Sequence, residues 1–193
     1  MRLKRQITHR KLNDRERLHL CSFIRLLVPV ARDQQHPMRQ LARAQISQSM
    51  WRWTADGACL KTGVVRPDVL KYDVRQLPST SAAREIAATT TKQLRHEHIV
   101  PRILLTDQII EQDMTLRSIF KFLTRYCKPV IVTKEEDDVL SRSNMPLGWT
   151  WGDGCAYARY HVANLYDAIE NLQCDQAASC NPNQPPEILG SGA

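Results

Sequence analysis

A chain of 193 residues, 42% hydrophobic and 24% charged, can bury a core without disulfide or metal staples. That composition excludes a collagen, a low-complexity polymer and a wholly disordered chain. The formal net charge of +7 points toward an acidic partner, and it is unevenly placed. Residues 1–45 carry eleven Lys or Arg against three acids, Asp14, Glu16 and Asp33, so the other 148 residues are close to neutral. A basic arm on a near-neutral body is a signature of polyanion binding, with a solvated Arg-rich helix face as the alternative.

In chain order, residues 1–12 read as a flexible basic arm bearing Arg2, Lys4, Arg5, Arg10 and Lys11. Asn13 followed three residues later by Glu16 is a capping-box pattern, and predicts an apolar helix to about Val28 that Pro29 ends. A second helix is expected from Pro37, with Met38, Leu41, Ala42, Ile46 and Met50 on one stripe and Arg39 and Arg43 one turn apart on another. Asp56-Gly57 between Trp53 and Leu60 predicts a short hairpin, and the alternation over 69–74 predicts a strand. A helix is expected over Ser81–Leu94, weakened by Thr89-Thr90-Thr91. Helices follow at Ile103–Ile110 and after Thr115, the latter burying Leu116, Ile119, Phe120, Leu123 and Tyr126.

Pro129–Thr133 is a continuous apolar run and predicts a strand buried on both faces. Thr133 and Glu136 repeat the capping-box pattern for a short acidic helix through Leu140, whose clustered acids suit a helix N-terminus. A loop is expected over 143–155, a last helix over Ala156–Leu172, and a disordered tail over 173–193. The fold class is therefore α+β: one helix-rich domain over 13–172, comprising a basic helical part at 13–53 and a near-neutral body at 54–172. Its small sheet is built from Val130–Thr133, the strand of His98 and the 69–74 strand.

The six cysteines contain no CxxC pair, which argues against a zinc finger, and Cys21 and Cys127 lie in apolar stretches as small core residues. No secretory signal is read; Leu20–Ala31 is interrupted by Arg25 and too short to span a bilayer. These features predict a cytoplasmic protein with free thiols and no membrane partner. The pairs Trp51/Trp53 and Trp149/Trp151 are expected to point one way from strands, as core packing or as base-stacking platforms.

Chemistry concentrates at His96-Glu97-His98-Ile99-Val100-Pro101-Arg102. On a strand His96 and His98 share one face and Glu97 takes the other. A His pair two apart can hold a divalent metal, and a His beside a carboxylate can activate water. Glu97-His98-Ile99-Val100-Pro101 resembles the acid–His–aliphatic–aliphatic–Pro signature of the HNH, or His-Me finger, nucleases, over five to seven residues of the chain. The resemblance implies Glu97 as a metal ligand and His98 as the general base of phosphodiester hydrolysis. The cation would be Mg²⁺ or Mn²⁺ rather than Zn²⁺. His96, Asn144 and His161 are the further candidate ligands, with Asn164 one turn beyond His161. Residues 40–49 also resemble the core of a helix-turn-helix, although one continuous amphipathic helix accounts for the same stripe.

Three functions follow as expectations. The first is a metal-dependent endonuclease acting on DNA or RNA. The second is a non-catalytic nucleic-acid-binding or regulatory module, with Arg2, Lys4, Arg5, Arg10, Lys11, Arg39, Arg43 and Arg102 on the backbone. The third is a protein-interaction domain.

Overall fold

The computed structural model describes residues 7–172. The candidate phosphate contacts Arg2, Lys4 and Arg5, and the expected tail over 173–193, lie outside the described residues. Strand β1 (His9–Lys11) leads into helix α1 (Asp14–Arg32) and helix α2 (Arg39–Ala55). Strands β2 (Gly57–Cys59) and β3 (Val65–Arg66) follow, then β4 (Ser79–Thr80), α3 (Ser81–Ala87) and β5 (Leu94–His98). Helices α4 (Arg102–Glu111) and α5 (Leu116–Tyr126) precede strand β6 (Pro129–Thr133) and helix α6 (Lys134–Val139). Helix α7 (Ala158–Val162), a 3-10 turn (Tyr166–Ala168) and strand β7 (Ile169–Glu170) complete the described chain. The class is α+β, helix-rich, as expected.

Both capping boxes form. Asn13 accepts from the Glu16 N–H at 2.9 Å, and the Glu16 carboxylate accepts from the Asn13 N–H at 2.7 Å. Two donors that the first helical turn leaves unpaired are thereby satisfied. Replacing Asn13 by Ala is expected to cost about 1 kcal/mol. A urea titration checks this, and an unchanged midpoint would show the cap to be redundant. Helix α1 does not stop at Pro29 but runs three residues further. Arg25, whose carbonyl Pro29 cannot serve, is exposed, so water can take that bond. Ala31 is fully buried, and Arg32 donates to the Ile110 and Gln112 carbonyls, which fixes the last turn. Helix α2 is continuous through 40–49, so no helix-turn-helix forms there.

Residues 9–11 are not a free arm. β1 pairs antiparallel with β2, and β2 with β3, in a three-stranded sheet. Gly57 therefore belongs to a strand rather than a hairpin turn. A Cβ there would meet Val69 Cγ2 at 2.9 Å and the Arg10 carbonyl at 3.0 Å, so the glycine permits close approach. The 69–74 segment is a run of turns, not a strand. Asp73 accepts from the Arg75 N–H, and Lys71 and Asp73 N–H groups turn back onto the Asp68 and Leu70 carbonyls. Helix α3 ends at Ala87, before the three threonines, and Leu94 already belongs to β5. The expected helix over Ala156–Leu172 is broken by Asn164, whose φ of 57° ends α7 after five residues.

The second sheet has the order β5-β6-β4-β7, with β5 antiparallel to β6 and β6 parallel to β4. The sheet divides two apolar clusters. Val130 and Val132 face the large one with Ile24, Ile46, Ile109, Leu123 and Tyr160, while Ile131 faces a smaller one with Leu70, Leu77, Ala83 and Leu94. β6 is thus buried on both faces. No helix among the described residues is long and apolar enough to cross a membrane. Cys21, Cys59 and Cys127 are free and buried, whereas Cys155 is disulfide-bonded. The expectation that every thiol is free is therefore corrected, and the compartment does not follow from the cysteines.

Candidate functional site

The β5–β6 register fixes the geometry of the His-Glu-His segment. Leu94, His96 and His98 stand opposite Thr133, Ile131 and Pro129, while Arg95 and Glu97 stand opposite Val132 and Val130. Residues opposite one another in an antiparallel pair share a face. The two imidazoles consequently lie on the Ile131 side of the sheet, and Glu97 lies on the other.

On the imidazole side, α2 supplies the partner. Thr54 Oγ1 lies 2.9 Å from His96 Nε2 and 3.1 Å from His98 Nε2. His96 Nδ1 is 2.9 Å from the Lys71 carbonyl, which can only accept, so Nδ1 carries the proton and Nε2 presents a lone pair to Thr54. His98 has a backbone hydrogen bond at Met50 and is 3% exposed. Burial pushes both imidazoles down, His96 to about 4 and His98 well below its ordinary value, with the neighbouring cations adding to the effect. Both rings are neutral at pH 7.

On the far side, Glu97 meets Arg159 of α7 at 3.4 Å. Arg159 is 3% exposed and also donates to the carbonyls of His98, Ile99 and Ser141. Burial and the nearby Asp137 push the Glu97 carboxyl up, and the Arg159 guanidinium pulls it down, with burial the larger effect. Glu97 is half-buried, engaged by Arg159 from the face of β5 opposite the His98 ring, and it also lines the cleft described below.

The other candidate ligands are not gathered around Glu97. Asn144 is exposed in the 143–155 loop, and its backbone N–H donates to Ser141 Oγ. His161 stacks on Tyr166 with ring centroids 3.9 Å apart, and Asn164 occupies the left-handed turn after α7. Among the described residues, no group of three or more His, Cys, Asp or Glu side chains is placed to hold a metal ion. A ligand shell of Glu97, His96, Asn144 and His161 does not fit this arrangement.

The structure does bring together a cleft of about 520 Å³ over the imidazoles. One wall is the α2 stripe Gln40, Arg43, Ser47 and Trp51, and the opposite wall is the start of α4 at Pro101, Arg102 and Ile103. Because Trp51 and Trp53 sit on a helix rather than a strand, they diverge. Trp51 reaches this cleft, while Trp53 is 3% exposed in the core. Trp149 and Trp151 come from a loop and pack edge to face at 4.7 Å beside Tyr126.

The guanidinium of Arg102 lies 5.4 Å from the Trp51 ring centroid and hydrogen-bonds Ser47. The Lys71 ammonium lies 5.0 Å from the same ring. Neither cation has a carboxylate partner among the described residues. Arg43, by contrast, is paired with Asp107, and Arg142 at the rim with Asp138. Arg39 lies one turn before Arg43, and both line the neighbouring surface with Arg32. Arg10 is held bidentately by Glu16, and Lys11 lines a different cavity. The sequence reading included Arg39, Arg43 and Arg102 but omitted Lys71, Thr54 and Arg159. A lysine flanked by Leu70 and Tyr72 was the one available hint of a cation against aromatic surface. Compared with family models, curated proteins and solved structures, the chain finds no match in any of the three.

Proposed function

We propose that the protein binds nucleic acid through its phosphate backbone, using the α2–α4 cleft, without cleaving it. The observation that carries this reading is the meeting of two cations without carboxylate partners, Arg102 and Lys71, on one half-buried indole. A guanidinium held against an aromatic ring is pre-oriented, and a phosphate can take the donors that Ser47 leaves open. Arg43 and Arg39 continue the positive track along α2. Phosphate contacts of this kind position a polymer without reading its sequence.

Hydrolysis is the less favoured reading, because Glu97, although it lines the same cleft, is engaged by Arg159, and the His98 ring on the opposite face of β5 is buried against Thr54. The His98 Nε2 atom lies 3.1 Å from Thr54 Oγ1 rather than in the open cleft.

Fluorescence anisotropy with labelled single- and double-stranded oligonucleotides tests the proposal. Affinity is expected to fall steeply between about 50 and about 200 mM salt. Arg102→Ala and Lys71→Ala are each expected to lower the log–log salt slope by about one. Absence of binding at the lower salt overturns the reading in favour of a protein partner. Mg²⁺- or Mn²⁺-dependent nicking that His98→Ala abolishes would replace it with the endonuclease that residues 97–101 resemble.

A further inference from the structure

A second cavity, of about 270 Å³, lies on the other side of Thr54 and shares no lining residue with the arginine cleft. Its polar wall holds Lys11 from β1, Arg17 from α1 and Lys128 beside β6. Its apolar wall is Leu70, Leu77 and Pro78.

Neither Lys11 nor Arg17 has an ion-pair partner among the described residues. Arg17 lies over Trp53 at 4.8 Å, and its buried Nε has no hydrogen-bond partner. Burial and the Arg17 charge together push the Lys11 ammonium down, so the two cations repel across the cavity. Among the described residues, Asp56 is the single acid in the lining. One of its oxygens already accepts from the Asp68 N–H at 3.0 Å, and burial pushes its carboxyl up toward the neutral form. Two half-buried like charges and an unpaired guanidinium N–H are costly unless an anion arrives to offset them.

We infer that this cavity binds a small organic phosphate monoester, its dianionic head between Lys11 and Arg17 and its apolar body against Leu70, Leu77 and Pro78. A dianion matches two or more cations, which a single carboxylate does not. The size limits the body to about one ring, since cavities for larger ligands run upward from about 300 Å³. A nucleic-acid strand is too large to enter, so this site is separate from the proposed backbone contact.

Titration calorimetry on the full chain tests the inference, using phenyl phosphate, inorganic phosphate and phenol as probes. Phenyl phosphate is expected to bind tightest, inorganic phosphate more weakly, and phenol not at all. Arg17→Met and Lys11→Met are each expected to weaken phenyl phosphate by about tenfold or more. Without ligand, Lys11→Met is expected to be no less stable than the natural chain, because it removes a like-charge contact. That keeps the test valid if Arg17→Met loses its Trp53 packing and fails to fold. Failure of both phosphates to bind at millimolar concentration overturns the inference, as does binding that Lys11→Met leaves unchanged. Equal affinity for phenyl and inorganic phosphate removes the apolar subsite.

Discussion

Replacing Arg159 by Met is expected to destabilise the protein by about 3–5 kcal/mol, the range for leaving one member of a buried charged network unpartnered. Four acceptors depend on this one guanidinium: Glu97 and the carbonyls of His98, Ile99 and Ser141. It joins α7 to the end of β5 and to Ser141, the second residue after α6, so its loss loosens three elements together. Most of the cost is the stranded Glu97 carboxylate. Adding Glu97→Gln to Arg159→Met is therefore expected to recover part of it, and Arg159→Lys, which keeps the charge without the planar fork, to lose less than Met. Urea unfolding of these three variants and of Glu97→Gln alone, against the natural chain, supplies the cycle. A cost below about 1 kcal/mol for Arg159→Met, the range of an exposed pair, would show that water replaces the guanidinium there.

The same network shows which parts of the fold a linear reading reaches. Capping boxes at Asn13/Glu16 and Thr133/Glu136 are local, four-residue chemistry, and both form as the sequence indicates. The alternation that sets His96 and His98 against Glu97 is equally local, and it is the property that separates the acid from the imidazole. The strand expected at 69–74 fails for a local reason too. Asp68 precedes the alternating residues and Asp73 is one of them, and the side chain of Asp73 offers the backbone a turn instead. Asn164 carried a helix-stop signal that the apolar spacing of Leu165, Ile169 and Leu172 obscured. The partners that define the site are another matter. Thr54 meets His96 across 42 residues, His96 meets the Lys71 carbonyl across 25, and Arg159 meets Glu97 across 62. No spacing rule reaches such pairs, because they arise from the tertiary packing of α2 and α7 around β5.

Acidification below pH 6.5 is expected to destabilise the protein through the two imidazoles on the α2 side. In the unfolded chain each His takes a proton near 6.5, whereas in the fold His96 resists protonation until about 4 and His98 further still. The unfolded state therefore binds more protons throughout that window, and stability rises with pH across it. The contribution is complete above 6.5 and disappears as pH falls toward the folded values. For His96 alone the difference corresponds to about 3 kcal/mol between pH 7 and pH 4. Glu97 works in the opposite direction, since a raised carboxyl makes the folded state the better proton acceptor. The comparison of variants isolates the imidazoles from it. His96→Gln and His98→Gln are each expected to remove about one proton from the slope of unfolding free energy against pH between about 6 and about 5. Thr54→Val, which removes the hydroxyl that both Nε2 atoms face, is expected to cost about 1–3 kcal/mol at pH 7. It should also flatten the slope, because an imidazole without its hydroxyl donor protonates more readily. A slope between about pH 6 and about pH 5 that neither His→Gln variant changes would mean that the folded imidazoles protonate as readily as the unfolded ones. The assignment of a neutral, structural imidazole pair beneath the cleft would then fall.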